Sequence, residues 1–477
     1  MATVPPTPTP TPVPLPQVST PQLPNYHHGI SLLGGWLPIL VEVSAAVVVL
    51  LVIGWRTRRW RLWSVPLSAA IGVAASLAVR TWVNSEGLAS DPSPWPMWVW
   101  AAVFVATIPI AVLGWRGTPR WRRTLSVLAV PLTLLATLLT LDKWVGYYPS
   151  VQSAWGALTA GPLPHETDAA DLPALRNTSP DSGKLVEVAI PDTSSGFKHR
   201  DEYVYLPPAW FSGATPPALP VVMMIAGEFN TPADWMRSGN ITQAIDDYAH
   251  EHGGVTPVFV FVDSGGRFNN DTECVNGPRG NAADHLTKDV RPYLISQFGT
   301  ASDAAHWGVV GWSMGGTCAI DLAVMHPDLF GAFVDIAGDH GPTAGSKQQT
   351  IDRLYGGDAA QWAAFDPATV MRAHGPYTGV SGLFEDTTKP AAAKGNSPAH
   401  PLAQPSAPLG FGGHDDWRDT DETGAAEDLC TVALSVQIPC AIHTQVSFHT
   451  WQFAERSFTD ALPWMAGRLH TPTAPPG

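Results

Sequence analysis

Two hydrophobic rhythms divide the chain. Up to about residue 150 the apolar positions come in long runs, at 32–55, 65–83, 97–115 and 125–144. Each is close to the roughly 20 residues that a helix rising about 1.5 Å per residue needs to cross the hydrocarbon of a bilayer. Four such runs in succession predict four transmembrane helices rather than buried helices of a soluble core. Trp36, Trp55, Trp82, Trp98, Trp115 and Trp144 stand at the ends of the runs, where an indole keeps its ring in hydrocarbon and its N–H in the headgroup layer. Beyond residue 184 the pattern breaks into short β-branched runs separated by amphipathic stretches. Strands are predicted at 185–190, 202–206, 221–225, 258–262, 307–310, 332–336, 407–411 and 441–446, and helices at 242–252, 284–298, 313–325, 422–434 and 451–469. Such alternation predicts a mostly parallel sheet covered on both faces.

The flanks and joints carry neither rhythm. Residues 1–30 open with a Pro/Thr-rich run that lacks amide donors and has little to bury, which predicts a disordered arm with polyproline character. No Lys or Arg precedes Arg56, so the basic start of a secretory signal is missing and the first run is expected to stay as an uncleaved span. The expected organisation is an arm at 1–30, a four-helix membrane anchor at 31–148, a linker at 149–183, an α/β domain at 184–470 and a tail at 471–477.

Charge sets the expected orientation. The chain has 27 Lys+Arg and 41 Asp+Glu, a net charge of −14. Within residues 1–150 there are 10 basic and 4 acidic side chains, leaving 17 and 37 for the remainder. Arg56, Arg58, Arg59 and Arg61 fill the loop after the first run, and Arg116, Arg120, Arg122 and Arg123 the loop after the third. The positive-inside rule puts both loops in the cytoplasm, and an even number of spans then leaves the N-terminal arm and residues 150–477 outside. That compartment permits disulfides among Cys274, Cys318, Cys430 and Cys440, for which three pairings exist. Within the runs, Glu42 and Arg80 lie at similar depth on the outer side and are expected to pair between the first two helices. An acidic outer domain excludes nucleic acid as a partner, because a phosphate backbone needs a basic stripe.

Chemistry concentrates at Gly311-Trp312-Ser313-Met314-Gly315-Gly316, directly after a predicted strand and opening a helix. In that context G-x-S-x-G describes a sharp turn that lifts a serine above the sheet. A serine hydroxyl becomes a nucleophile only when a base takes its proton, and the base needs a carboxylate to orient it. His449, past the last predicted strand and before the final helix, stands where that base belongs; His326, His340 and His374 read as structural. The acid is expected at Asp416, with Asp415 as the alternative. Backbone amides of Met314 and of Glu228, in the loop after the strand 221–225, are expected to form the oxyanion hole. C-x-x-C is absent and His414-Asp415-Asp416 has no further ligand set, so no metal and no cofactor is expected.

These residues resemble the esterase D-like α/β-hydrolases, which include the mycobacterial antigen-85 mycolyltransferases. The resemblance rests on Gly311–Gly316, on His449-Thr450-Trp451-Gln452-Phe453, and on Tyr355-Gly356-Gly357-Asp358 with Trp362 and Asp366-Pro367. It covers residues 184–469 and not the membrane half. It implies an α/β-hydrolase fold and acyl-enzyme chemistry on esters or glycolipids. Gly413-x-x-Asp416 is similar to the acid position of the esterase branch, whereas the mycolyltransferases carry a glutamate farther along. Residues 386–408 read as a Pro/Ala/Ser-rich surface insertion, with a lid as the alternative.

The expectation is therefore a multi-pass membrane protein whose extracytoplasmic domain is a serine esterase or acyltransferase. Its expected partners are a lipid or acyl-ester substrate of the cell envelope, the bilayer, and a membrane protein that would account for four spans. Mycolyltransferase-type transfer to a sugar is the alternative chemistry. A catalytically inactive binding module and a receptor or transporter are the rival classes.

Overall fold

The computed structural model describes residues 29–54, 56–85, 93–159, 161–388 and 422–472. Nearly all of the arm predicted at 1–30, the strand predicted at 407–411, and Asp415 and Asp416 lie outside these residues. Four N-terminal helices, α1 (Trp36–Ile53), α2 (Val65–Ser85), α3 (Trp95–Leu113) and α4 (Arg120–Val145), are long and apolar enough to cross a membrane. Large apolar side chains such as Leu50, Leu67 and Val112 stand exposed on their outer faces, as they would where lipid replaces water.

The helices pack in the order α1, α4, α3, α2. This overturns the expected Glu42–Arg80 pair. Glu42 on α1 instead meets Lys143 near the end of α4, with Nζ 2.7 Å from Oε1, while Arg80 sits on α2 at the opposite side of the bundle. The first two helices in sequence are not neighbours in this bundle, and the depth of a charge along its helix does not report which helix faces it.

The two basic loops meet at one end. Arg56 Nη1 donates to Gly114 O across them at 3.1 Å, and its guanidinium lies 4.2 Å over the Trp60 ring. At the other end Leu32 N–H donates to Pro149 O (3.1 Å) and Val151 N–H to Ile30 O (2.9 Å). The segment entering α1 is thus paired with the segment leaving α4. Within the stretch expected as a plain linker lies an eight-residue helix, α5 (Val151–Leu158), whose start is fixed by a reciprocal cap between Ser150 and Ser153.

The remaining chain builds an eight-stranded sheet from β1 (Lys184–Val188), β2 (Glu202–Leu206), β3 (Val221–Ile225), β4 (Val258–Val262), β5 (Trp307–Trp312), β6 (Ala332–Ile336), β7 (Ser381–Thr388) and β8 (Cys440–Val446). Their order is β1-β2-β4-β3-β5-β6-β7-β8, with β2 antiparallel to both of its neighbours and every other pairing parallel. The helices are α6 (Ile241–Glu251), α7 (Arg291–Phe298), α8 (Met314–Met325), α9 (Lys347–Tyr355), α10 (Ala359–Phe365), α11 (Pro367–His374), α12 (Glu422–Ser435) and α13 (Trp451–Arg468). Because side chains alternate along a strand, β3 serves two cores. Val221, Met223 and Ile225 pack with residues of α7, α8 and α12, while Val222 and Met224 pack with residues of α6 and α13. All five side chains are buried, each contributing roughly 1.5–3 kcal/mol. Such unbroken apolar strands belong to a parallel sheet covered on both faces.

The seventh strand departs from expectation. It is Ser381–Thr388, so residues 386–388, read as the start of an insertion, are strand in register with Thr444–Val446. Glu385 and Asp386 are acidic residues within this strand. Both are buried, and Glu385 Oε2 is met by Nδ1 of His443 on β8 at 2.9 Å. A carboxylate partnered across strands can sit in a sheet that its polarity alone would disfavour.

Two disulfides select one of the three pairings, Cys274–Cys318 and Cys430–Cys440, with Cα separations of 5.6 and 5.8 Å. They close loops of 44 and 10 residues, worth about 4 and about 3 kcal/mol on the chain-entropy account. The first anchors α8.

Glu455 of α13 is buried beside Asn240, and burial pushes its carboxyl up to about 8. Between about pH 5 and 8 the unfolded chain has released this proton and the folded chain has kept it, so stability falls as pH rises through that window and levels off above it. Glu455→Gln, which imitates the protonated form, is expected to raise the melting temperature at pH 8 more than at pH 5. Equal shifts at both pH values would refute the assignment.

Candidate active site

Ser313 stands on the turn between β5 and α8 with φ 58° and ψ −125°, a conformation that side chains rarely adopt. The surrounding chain enforces it. Ser313 N–H donates to Ile336 O at 2.8 Å, tying the turn to the end of β6, and its own carbonyl accepts from Gly316 N–H at 2.7 Å. The two glycines of the motif have measurable reasons. A Cβ on Gly311 would lie 1.6 Å from Gly315 O, and one on Gly315 would lie 2.1 Å from Ile225 O. The turn is therefore closed against itself and against β3, and its serine projects at the carboxyl ends of the parallel strands, where open α/β sheets bind ligands.

His449 lies between the end of β8 and the start of α13. Its ring stacks on Trp312, the residue before Ser313, with centroids 5.3 Å apart and planes 28° apart. The predicted base thus lies against the residue that precedes the predicted nucleophile. Thr450 caps α13 by accepting from Phe453 N–H, which fixes where the helix starts and so where His449 leaves it. His326 and His340 lie in the connections after α8 and β6, and His374 in the last turn of α11.

Met314 begins α8, and the first amides of a helix have no partner within it. On the other side, the loop Ala226-Gly227-Glu228 runs against the serine: a Cβ on Gly227 would lie 3.2 Å from Ser313 Cβ. Sequence reasoning missed what holds this loop. Trp451 Nε1–H donates to Asn230 Oδ1 (3.2 Å), Asn230 Nδ2–H donates to Glu228 O (2.7 Å), and Arg200 Nη2–H donates to Asn230 O (2.8 Å). Arg200 is in turn clamped by the Asp263 carboxylate through Nη2 and Nε, at 2.7 and 3.1 Å. Burial opposes the Asp263 charge, but Arg200 outweighs it and keeps that carboxyl below its ordinary range. One indole beside His449 is therefore wired to the loop facing Ser313. Trp451 sits in the histidine segment, which hinted at it; Asn230 carried no signal.

Behind α8 lies a set of buried acids. Glu273 has φ 49° and precedes Cys274, whose disulfide reaches Cys318 on α8. Burial, followed by the charges of Asp271, Asp339, Glu228 and Asp321, raises Glu273 well above the usual carboxylate range. Burial, followed by the charges of Asp366 and Asp335, does the same to Asp321. In both, burial and the neighbouring carboxylates favour the protonated form.

Among the described residues, His199, Glu202 and His285 come close enough together to hold a cation. The ring atoms of His199 are otherwise engaged: Nδ1 faces Arg200 O at 2.9 Å and Nε2 faces Ile190 O at 2.8 Å. Two acceptors call for two N–H donors, hence an imidazolium. Burial works against that charge, but Glu202 and the two carbonyls raise the pKa above its ordinary value. The cluster is thus built as a buried ion pair.

Residues 198–407 match the family described as Putative esterase; Ser313 falls inside this stretch, and Asp415, Asp416 and His449 follow it. A protein of Corynebacterium glutamicum, itself described as uncharacterized, is 32% identical over 360 residues, which span 72% of this chain and 82% of that protein. Among solved structures, an S-formylglutathione hydrolase from Agrobacterium tumefaciens has 18% identity and a TM-score of 0.45, covering 61% of this chain and 98% of its own. Mycobacterium tuberculosis MPT51 has 17% identity and a TM-score of 0.41, covering 59% and 97%. On the extent of its sequence similarity, this chain belongs to the putative-esterase family of α/β-hydrolases and is a carboxylic-ester hydrolase by class.

Proposed function

We propose that the chain is a membrane-anchored, extracytoplasmic serine esterase or acyltransferase acting through Ser313, His449 and Asp416 on acyl esters or glycolipids of the cell envelope. The observation that carries the reading is Ser313 on its strained turn with His449 stacked against the adjoining Trp312. Ser313 Oγ would attack the acyl carbonyl while His449 takes its proton. The amides of Met314 and Glu228 would hold the oxyanion, and His449 would pass the proton to the departing alcohol. Water or a sugar hydroxyl, deprotonated by the same histidine, would then resolve the acyl-enzyme.

The acid is assigned by connection. Residues 389–421 join β7 to α12 and contain both Asp415 and Asp416, and in this fold class the acid follows the strand that precedes the histidine's strand. Asp416→Asn is expected to lower kcat about 10³-fold or more and Asp415→Asn less than about 10-fold. Steady-state kinetics showing the reverse ranking would move the assignment to Asp415.

Two features support the outward orientation. Eight arginines lie in the loops and the adjoining first helical turns at one end of the bundle, the end a cytoplasmic surface would face. The catalytic domain, at the other end, carries two disulfides, which persist in oxidising compartments. The deciding experiment is product analysis by mass spectrometry of the full chain in detergent, given a short acyl ester with and without a sugar. Free acid unchanged by sugar identifies water as acceptor. Acylated sugar formed at the expense of free acid identifies an acyltransferase, and no turnover of the ester rejects the reading.

A further inference from the structure

The end of α4 is docked onto the histidine loop. Gly146, the residue after α4, offers its carbonyl to Gln452 Nε2–H at 2.9 Å, and a Cβ on Gly146 would lie 2.9 Å from Thr450 Cβ. Tyr147 packs against the core that contains Trp312 and Trp451. Thr450 is the neighbour of His449, so at about 3.8 Å per residue the proposed base stands within roughly 10 Å of the place where a membrane-spanning helix ends. A headgroup layer is itself about 5–7 Å deep on each side.

Apolar side chains that a soluble enzyme would cover are exposed around this point. Phe448 precedes His449 and is 63% exposed; Phe268, 71% exposed, packs on Phe229 with centroids 5.5 Å apart, two residues from Gly227 at the serine. On α5, Val151, Trp155 and Leu158 fall at i, i+4 and i+7, one face of the helix, and Trp155 and Leu158 are 68% and 77% exposed. This helix is held at the membrane exit from both sides. Ile30 N–H, just before α1, donates to Gln152 Oε1 at 3.0 Å. Toward the enzyme, Arg237 donates to Gly156 O and Gly161 O at 3.2 and 2.7 Å. An unpartnered apolar face fixed between two membrane exits has one continuous neighbour, the lipid surface from which those helices emerge.

We propose that α5 lies in the headgroup layer and holds the mouth of the active site against the membrane, so that a long-chain acyl ester reaches Ser313 from the leaflet without crossing bulk water. The route rests on the esterase reading given above; the placement of α5 does not.

The test uses the full chain in lipid nanodiscs. All four native cysteines are paired, so a bimane on Leu158→Cys reports one site, and a bimane on Ser302→Cys reports the opposite end of the sheet, before β5. Brominated phosphatidylcholine is expected to quench the first strongly and the second hardly at all; equal quenching, or none at residue 158, overturns the placement. The same nanodiscs are given either a soluble butyrate ester or a fluorogenic oleate ester dissolved in the bilayer. Trp155→Ser combined with Leu158→Ser is expected to reduce oleate turnover about 10-fold or more and butyrate turnover less than twofold. A parallel loss of both, or of neither, overturns the lateral route. If the wild type hydrolyses neither ester, the esterase reading falls and the route with it, while the quenching still decides where α5 lies.

Discussion

Ser313→Ala is expected to abolish ester turnover, lowering kcat by about 10⁴-fold or more with folding unchanged. The size of the effect follows from chemistry that cannot be shared. The replacement leaves His449, the Trp312 stack and the amide loops in place but removes the atom that bonds to the acyl carbon, leaving only the residual acceleration that oxyanion donors and binding supply. The positive φ of 58° at Ser313 is a cost that serine and alanine, each with a Cβ, both bear, so the replacement is expected to leave folding unchanged. The melting temperature must be measured beside the rate. Intact melting with lost turnover assigns the nucleophile; substantial turnover in a folded variant refutes it.

Gly315→Ala is expected to cost about 3 kcal/mol or more of stability, and to lower activity at least about 100-fold in whatever remains folded. The new methyl would meet backbone, not a flexible side chain: 2.1 Å to Ile225 O and 2.8 Å to Ala226 O. Relief requires α8 and β3 to part by more than an ångström. The buried face of α8 and the Cys274–Cys318 link resist that motion, and overpacking of this kind is among the costlier core changes. Any shift that accommodates the methyl displaces Ser313 relative to the Gly227 loop, and misplacement near 1 Å typically costs 10²-fold in rate. Gly467→Ala in α13 is the internal contrast, because apart from its chain neighbours and its own helical backbone no atom lies within 4 Å of the added Cβ. It is expected to be neutral or to stabilise by up to about 1 kcal/mol. Chemical denaturation of the two variants separates steric cost from a general effect of losing glycine; equal midpoints would refute the argument.

Much of this was legible because local and global signals agreed. The four apolar runs, the strands at β1 to β6 and the serine turn each carry a pattern that few structures satisfy: a run as long as a bilayer is thick, short segments rich in β-branched and aromatic residues, and glycines where a Cβ has no room. Legibility failed where a polar residue is satisfied by a distant partner. β7 was not predicted, and its buried Glu385 finds its partner in His443, 58 residues along the chain. The Glu42–Arg80 pairing failed similarly, because the bundle places α4, not α2, against α1. The Asn230 relay to Glu228 was invisible, since its partners Trp451 and Arg200 come from opposite ends of the domain. Helix α5 is only eight residues long and its apolar face is unburied, so period alone did not separate it from linker.

The junction at Gly146 and Tyr147 bears on how the enzyme moves. A body hung from a membrane by one flexible strand keeps its rotational freedom, and its catalytic groove points at random relative to the bilayer normal. Here the carbonyl of Gly146 is gripped by Gln452, Tyr147 is packed into the enzyme, and the strands entering α1 and leaving α4 are bonded to each other. Attachment at several points removes tumbling, so the four helices and the hydrolase share a single orientation, like a blade set in its handle.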